Sequence, residues 1–101
     1  MARLIWLRSA RADLREIYRY IARDSAAHAT ATIRRIRSSA ERLADFPESG
    51  RIVPEHGDPM VREVIVSPYR VAYRYFPDRD LVQVFAVFHG STTFPDREDD
   101  G

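Results

Sequence analysis

The chain has 101 residues, and its 16 basic side chains, all of them arginine, oppose 15 acidic ones for a formal net charge of +1. That length supports one small domain around one hydrophobic core, and 45% hydrophobic residues supply enough apolar surface to build it. The absence of cysteine excludes disulfide staples, thiolate zinc sites and a cysteine nucleophile, and apolar runs such as Leu4 to Leu7 are far too short for a membrane span or a secretory leader. A cytoplasmic protein without membrane contact is expected.

Charge is unevenly spread. Residues 1–44 hold ten arginines against Asp13, Glu16, Asp24 and Glu41, a balance of +6. Residues 95–101 hold Arg97 against Asp96, Glu98, Asp99 and Asp100, a balance of −3. A positive N-terminal half suits an acidic partner, protein or nucleic acid.

Arg3 to Leu7, with Ile5 and Trp6, reads as a first strand. Ser9 offers an N-cap, and Leu14, Ile17, Tyr18 and Ile21 then recur at helical spacing. Arg11, Arg15, Arg19 and Arg23 form a second stripe at another azimuth of that helix. Asp24-Ser25 breaks it, Ser25 caps the next, and Ala29, Ile33, Ile36, Ala40 and Leu43 give the second helix one apolar face. That helix ends before Pro47, because a residue preceding proline is pushed out of the helical region. Residues 47–59, with three prolines and two glycines, read as a long ordered loop. Val61–Val66, Arg70–Phe76 and Leu81–His89 read as strands separated by turns at Ser67-Pro68 and Pro77–Asp80, the last strand being the most apolar and therefore central.

The order β-α-α-β-β-β predicts an α+β domain over residues 1–94. An N-terminal strand precedes an antiparallel helical hairpin, which packs on one face of a small antiparallel sheet. Residues 95–101 are expected to form an acidic, flexible tail.

The chemistry-bearing residues are sparse. His28, His56 and His89 fall in a helix, a loop and a strand end without helical spacing or a carboxylate cluster, so no metal site and no cofactor is expected. No phosphate-binding glycine loop or hydrolase triad is present. The arginine stripe of the first helix has two readings, a solvated face pairing with Asp13 and Glu16, or a docking surface. On the sheet, Arg62, Arg70 and Arg74 interleave with Tyr69, Tyr73 and Tyr75, and His89 closes the last strand. Arginine forks with aromatic faces grip phosphates and stack bases. The same residues equally serve as core tyrosines and as partners of Glu63, Asp78 or Asp80. Phosphodiester cleavage needs one group to take a proton and another to give one; His89 or Glu63 fits the first role and nothing clearly placed fits the second.

Four stretches go further: SARADLREIYRYIARDS (9–25), IRSSAERLADFPESGR (36–51), REVIVSPYRVAYRY (62–75) and VFAVFHG (84–90). In this order and spacing they resemble the ParE/RelE superfamily of type II toxin–antitoxin toxins. The resemblance implies a helical hairpin on a small sheet, a cognate antitoxin of the ParD or another DNA-binding kind, and a hetero-oligomeric complex with it. It also implies one of two targets. RelE-like members cleave mRNA on the ribosome with basic sheet residues and often a C-terminal tyrosine or histidine; here that set would be Arg62, Arg70 and His89. ParE-like members lack that set and poison DNA gyrase without catalysis. In this chain a second basic position of the RelE pattern is Val64, and HGSTTFPDRED (89–99) carries acids and no tyrosine. The wording FPESGR and SPYRVAYR is the more ParE-like. The resemblance therefore favours a gyrase inhibitor, with Arg11, Arg15, Arg19, Arg23, Arg62, Arg70, Tyr73 and Arg74 as residues for antitoxin or target. The ribosome-dependent endoribonuclease is the alternative.

Overall fold

A computed structural model describes residues 1–97. In chain order it contains β1 (Arg3–Trp6), α1 (Arg8–Ala22), α2 (Ala26–Glu41), a 3-10 turn (Arg42–Ala44), β2 (Arg51–Ile52), β3 (Val61–Val66), β4 (Tyr69–Phe76), a second 3-10 turn (Pro77–Arg79) and β5 (Leu81–His89). The strands form one sheet in the order β1-β5-β4-β3-β2. The α+β architecture is the one expected, but the middle strand is β4, and β5 lies inside the sheet between β1 and β4.

Two features depart from the expected sheet. β1 pairs with β5 in parallel, from Arg3 opposite Leu81 to Trp6 opposite Val84, so the sheet is not wholly antiparallel. The helical hairpin is the reason, because a helical crossover frees a strand from the reversal that a tight turn imposes. The 47–59 loop also contributes a strand, β2, whose Arg51 and Ile52 pair with Glu63 and Arg62.

α1 begins one residue before Ser9, with Leu7 in the cap position and no side-chain cap. Ser9 is not an N-cap. Its hydroxyl donates to the Phe85 carbonyl at 2.7 Å. The register of β4 with β5 explains this contact: Ala72 faces Ala86 while Tyr73 faces Val84, leaving Phe85 as the extra residue of a bulge. β1 ends opposite Val84, and beyond it α1 serves the edge of β5, with Asp13 accepting from the Val87 amide at 2.8 Å. Ser25 does cap α2, its hydroxyl accepting from the His28 amide at 3.1 Å.

The core lies on both faces of the sheet. Leu14, Ile36, Ala40 and Leu43 of the helices pack on Val66, Val71, Tyr73, Val82 and Val84. A second cluster sits on the opposite face, where Leu7, Val53, Val61, Ala72, Phe85 and Ala86 are joined by Ile5, Phe88 and Phe94. Here the bulge matters, since it turns Phe85 and Ala86 to the same side. The 53–60 loop and the residues after β5 cover this face in place of helices.

The segment after Phe94 is partly docked. Arg97 forms a bidentate pair with Asp13 at 2.6 and 2.8 Å and donates to the Phe85 carbonyl at 3.1 Å, so the chain lies against the domain as far as Arg97. Residues 98–101, which include the acids Glu98, Asp99 and Asp100, lie outside the described residues. Among the described residues no helix is long and apolar enough to cross a membrane.

Candidate binding surfaces and a sealed arginine site

Strand alternation decides which sheet residues meet. Arg70, Ala72 and Arg74 of β4 face the second cluster, whereas Val71, Tyr73 and Tyr75 face the helices. Glu63 lies on the Arg70 side, and Arg62 lies on the helix side opposite Tyr73. Arg62, Arg70 and His89 are therefore not brought together. Arg62 and Arg70 sit on opposite faces, and His89 pairs with Tyr69, four residues along β4 from the partner of Arg62. The His89 ring stands edge-on to Tyr69 at 5.9 Å, and its Nδ1 faces the Ser91 hydroxyl at 2.7 Å.

Arg70 is fully engaged. Its Nε donates to Glu63 Oε1 at 2.6 Å, and its two terminal nitrogens donate to the two oxygens of Glu55 at 3.0 and 2.8 Å. Glu63 accepts a second arginine, Arg51 Nε, on its other oxygen at 2.6 Å. The Glu63 side chain is 0% exposed and that of Arg70 10%. The guanidinium carbon lies 5.0 Å from the Phe88 ring centre and 5.5 Å from that of Phe94. Phe94 itself is held edge-on by His56 and Phe88, at 5.0 and 5.2 Å. Two carboxylates and two aromatic rings thus occupy the fork that would grip a phosphate. The Glu55 hydrogen bonds, and then those of Glu63, push the Arg70 guanidinium further up from its already high range.

The same bonds from Arg70 hold the Glu55 carboxyl down to about 2, from an ordinary 4.5. A depressed folded-state value contributes stability that is complete above the unfolded value and is lost as pH falls through the folded one. Thermal melts are expected to show a loss between pH 4.5 and about 2 that the Glu55→Gln variant lacks. Equal acid profiles for the two proteins would show that the pair contributes nothing.

Tyr73 is buried, and its hydroxyl joins the 47–50 turn to the sheet. It donates to the Pro47 carbonyl at 2.7 Å and accepts from the Gly50 amide at 3.0 Å. Burial pushes its phenol up. Arg62 stitches the same loop, donating to the carbonyls of Pro59, Glu48 and Gly50. Tyr73 is thus buried and Arg62 half-buried, and both brace this loop. Arg74 differs: its guanidinium lies 4.3 Å from the Phe85 ring centre, and its buried NH1, like Gln83 Oε1 across the strand pair, has no hydrogen-bond partner among the described residues.

The helical stripe is exposed. Arg11, Arg15 and Arg19 of α1 face Ile33 and Arg37 of α2 across a groove of about 290 Å³ floored by Leu14 and flanked by Tyr18. Arg11 donates to the Trp6 carbonyl at 2.8 Å, Arg37 lies over the Trp6 ring at 5.5 Å, and Arg19 pairs with Glu16 at 2.9 Å. Arg15 has no ion pair among the described residues. Arg23 lies outside the groove, over the Tyr20 ring at 5.8 Å.

Residues 4–94 match the family described as the ParE toxin of the type II toxin–antitoxin system, parDE. The chain belongs to the ParE toxin family. A relative, Toxin RelE2 of Caulobacter vibrioides, is 33% identical over 91 residues, which are 90% of this chain and 98% of that protein. In fold, the chain resembles the chromosomal ParDE toxin–antitoxin system from P. aeruginosa, with a TM-score of 0.71 and 24% identity over 88% of this chain and 96% of that one. It also resembles the RelBE2 toxin–antitoxin complex from Mycobacterium tuberculosis, with a TM-score of 0.63 and 18% identity over 87% and 96%. This ParE-family toxin carries the helical hairpin and sheet expected from its four sequence stretches. Sequence reading missed Glu55 and Phe94 in the arginine site. Glu55 lies in a loop without periodicity and Phe94 lies past the last strand, so only the folded chain brings them to Arg70.

Proposed function

We propose that this toxin acts by binding, with DNA gyrase as its target, and that a cognate antitoxin silences it. The observation that carries this reading is the closure of Arg70 by Glu63, Glu55, Phe88 and Phe94. Cleavage of mRNA requires a cationic fork open to phosphate and a proton-transfer pair beside it. In this chain the fork is neutralised by two carboxylates, Arg62 and His89 lie elsewhere, and Val64 stands where a second basic residue is needed. Arginine stays protonated near neutral pH, so it supplies binding and not proton transfer. The purified toxin, freed of antitoxin, is expected to inhibit gyrase supercoiling or to accumulate gyrase–DNA cleavage complexes. It is also expected to leave ribosome-bound message intact. Message cleaved in the ribosomal A site with gyrase untouched would replace this reading with the endoribonuclease.

The α1–α2 groove is the surface offered to the antitoxin. Its arginines ring an apolar floor, which suits an amphipathic segment with acidic flanks. The double substitution Arg15→Glu with Arg19→Glu is expected to weaken the toxin–antitoxin complex about tenfold or more, through lost attraction and added repulsion. Titration calorimetry against the antitoxin measures it, and unchanged affinity would place the antitoxin elsewhere.

A further inference from the structure

β2 is only two residues long, whereas β3 has six, so the outer edge of β3 is uncovered beyond Glu63. The alternation of the ladder shows which groups face that edge. The Val61 carbonyl accepts from the Val53 amide on the outer side, and Arg51 stands opposite Glu63. By the same period, the N–H and C=O of Ile65 point outward, past the end of β2. There the chain has already left the sheet, turning at Phe46–Ser49.

This open edge forms one wall of a trough. α2 forms the other. The first part, about 570 Å³, runs from Phe46 and Arg51 past Ser39 and Arg42 to Val64 and Ile65. Ser39 and Arg42 continue into a second part, about 370 Å³, bounded by Arg34, Arg35 and Val66. Its charge is one-sided. Arg34 and Arg42 have no ion pair among the described residues, and Arg35 donates only to the Ser67 carbonyl at 2.9 Å. The sole carboxylate of the lining, Glu63, is buried and already holds Arg51 and Arg70. Two large apolar side chains stand exposed along it, Phe46 at 61% and Ile65 at 53%.

We infer that this trough receives an extended acidic segment of a protein partner, added as a strand beside β3 in continuation of β2. A peptide backbone supplies the donor and acceptor that the edge of Ile65 lacks, which a nucleic-acid backbone does not. Alternate side chains of an added strand point to opposite faces. One set meets Arg34 and Arg35 on α2 and Arg42 in the 3-10 turn after it, and the other lies along Ile65. The site is separate from the α1–α2 groove and stands whether or not gyrase is the target.

The probes are an acetylated, amidated (Val-Glu)4 octapeptide, its (Val-Lys)4 counterpart and an eight-residue thymidine oligonucleotide, each titrated into the full chain. Amide shifts in an NMR titration and hydrogen exchange at Ile65 read the site. The acidic peptide is expected to shift Ser39, Arg42 and Val64–Val66 and to slow exchange at Ile65. Ile65→Pro removes only an outward donor, a change tolerated at a sheet edge. It and Arg42→Glu are each expected to weaken the acidic peptide about tenfold, by lost backbone pairing and by charge reversal respectively. Ile65→Ser, which keeps the backbone donor, is expected to retain binding and shows that the edge and not the fold is tested. Three results would overturn the inference: equal binding of the basic peptide, binding of the oligonucleotide alone, or self-association of the chain through this edge that Ile65→Pro abolishes.

Discussion

Replacing Glu63 with alanine is expected to lower stability by about 3–5 kcal/mol, the cost of breaking a buried charge pair from one side. Glu63 is 0% exposed and carries a guanidinium on each oxygen at 2.6 Å. Arg51 is 57% exposed and returns to water when its partner goes. Arg70 has no such exit, lying 10% exposed beneath Phe88 and Phe94 with Glu55 as its remaining carboxylate. For a chain of this size, 1 kcal/mol moves the melting midpoint by about 4–8 °C, so the fall is on the order of 15 °C or more. Circular dichroism melts decide it. Glu63→Leu combined with Arg70→Met removes both buried charges and is expected to recover much of the loss, since an apolar pair of similar volume avoids desolvation. If the single variant melts within about 4 °C of the parent, less than about 1 kcal/mol is at stake and the network is not a structural element. The double variant also bears on function. A binder whose target surface lies elsewhere keeps its toxicity without Arg70, whereas an endoribonuclease using Arg70 loses it.

Gly50→Ala is expected to be nearly as disruptive, for a reason of space. A methyl group there would lie 2.6 Å from the Tyr73 hydroxyl oxygen and 2.7 Å from the Glu63 carbonyl oxygen. The hydroxyl can be displaced only by breaking its bonds to Pro47 and Gly50, and the carbonyl belongs to the backbone of β3. Overpacking of this kind costs about 1–3 kcal/mol, and each buried polar group left unsatisfied adds about 1–3 kcal/mol. Urea unfolding is expected to show an earlier midpoint with an unchanged slope. Adding Tyr73→Phe removes the clash with the hydroxyl and leaves those with the Glu63 carbonyl and with the ring Cε1, 2.8 Å away, so the double variant should fall short of the sum of the singles. Strict additivity would mean that Gly50 and Tyr73 do not act as one latch.

The fold was legible wherever it depended on period. Leu14 and Ile17 on α1, Ile36 and Ala40 on α2 with Leu43 in the 3-10 turn that follows, and the alternation of β4 report burial directly, because side-chain direction follows local geometry. Ser25 was legible as a cap, since capping is a contact of three residues' reach. Ser9 was not, since the carbonyl it serves is 76 residues away. The parallel pairing of β1 and the short β2 were likewise hidden, being set by which segments meet after folding.

The candidate sites divide in the same way. The arginine stripe Arg11, Arg15 and Arg19 was visible from its four-residue spacing, and the structure keeps it exposed beside a groove. The sheet arginines looked alike in sequence, and the fold gave each a different fate. Arg62 became a loop brace, Arg70 the centre of an ion network, and Arg74 a guanidinium stacked on Phe85.

By itself the sequence determined an α+β domain of the ParE/RelE kind, with an arginine-rich helical hairpin and a near-neutral total charge made of opposed halves. Only the tertiary structure decided that Arg70 is closed rather than open. Whether a guanidinium is a phosphate fork or half of an ion pair depends on what stands within about 3 Å of it. At Arg70 those neighbours are Glu55, 15 residues before it, and Glu63, 7 before it, with Phe94 laid over the site from beyond the last strand.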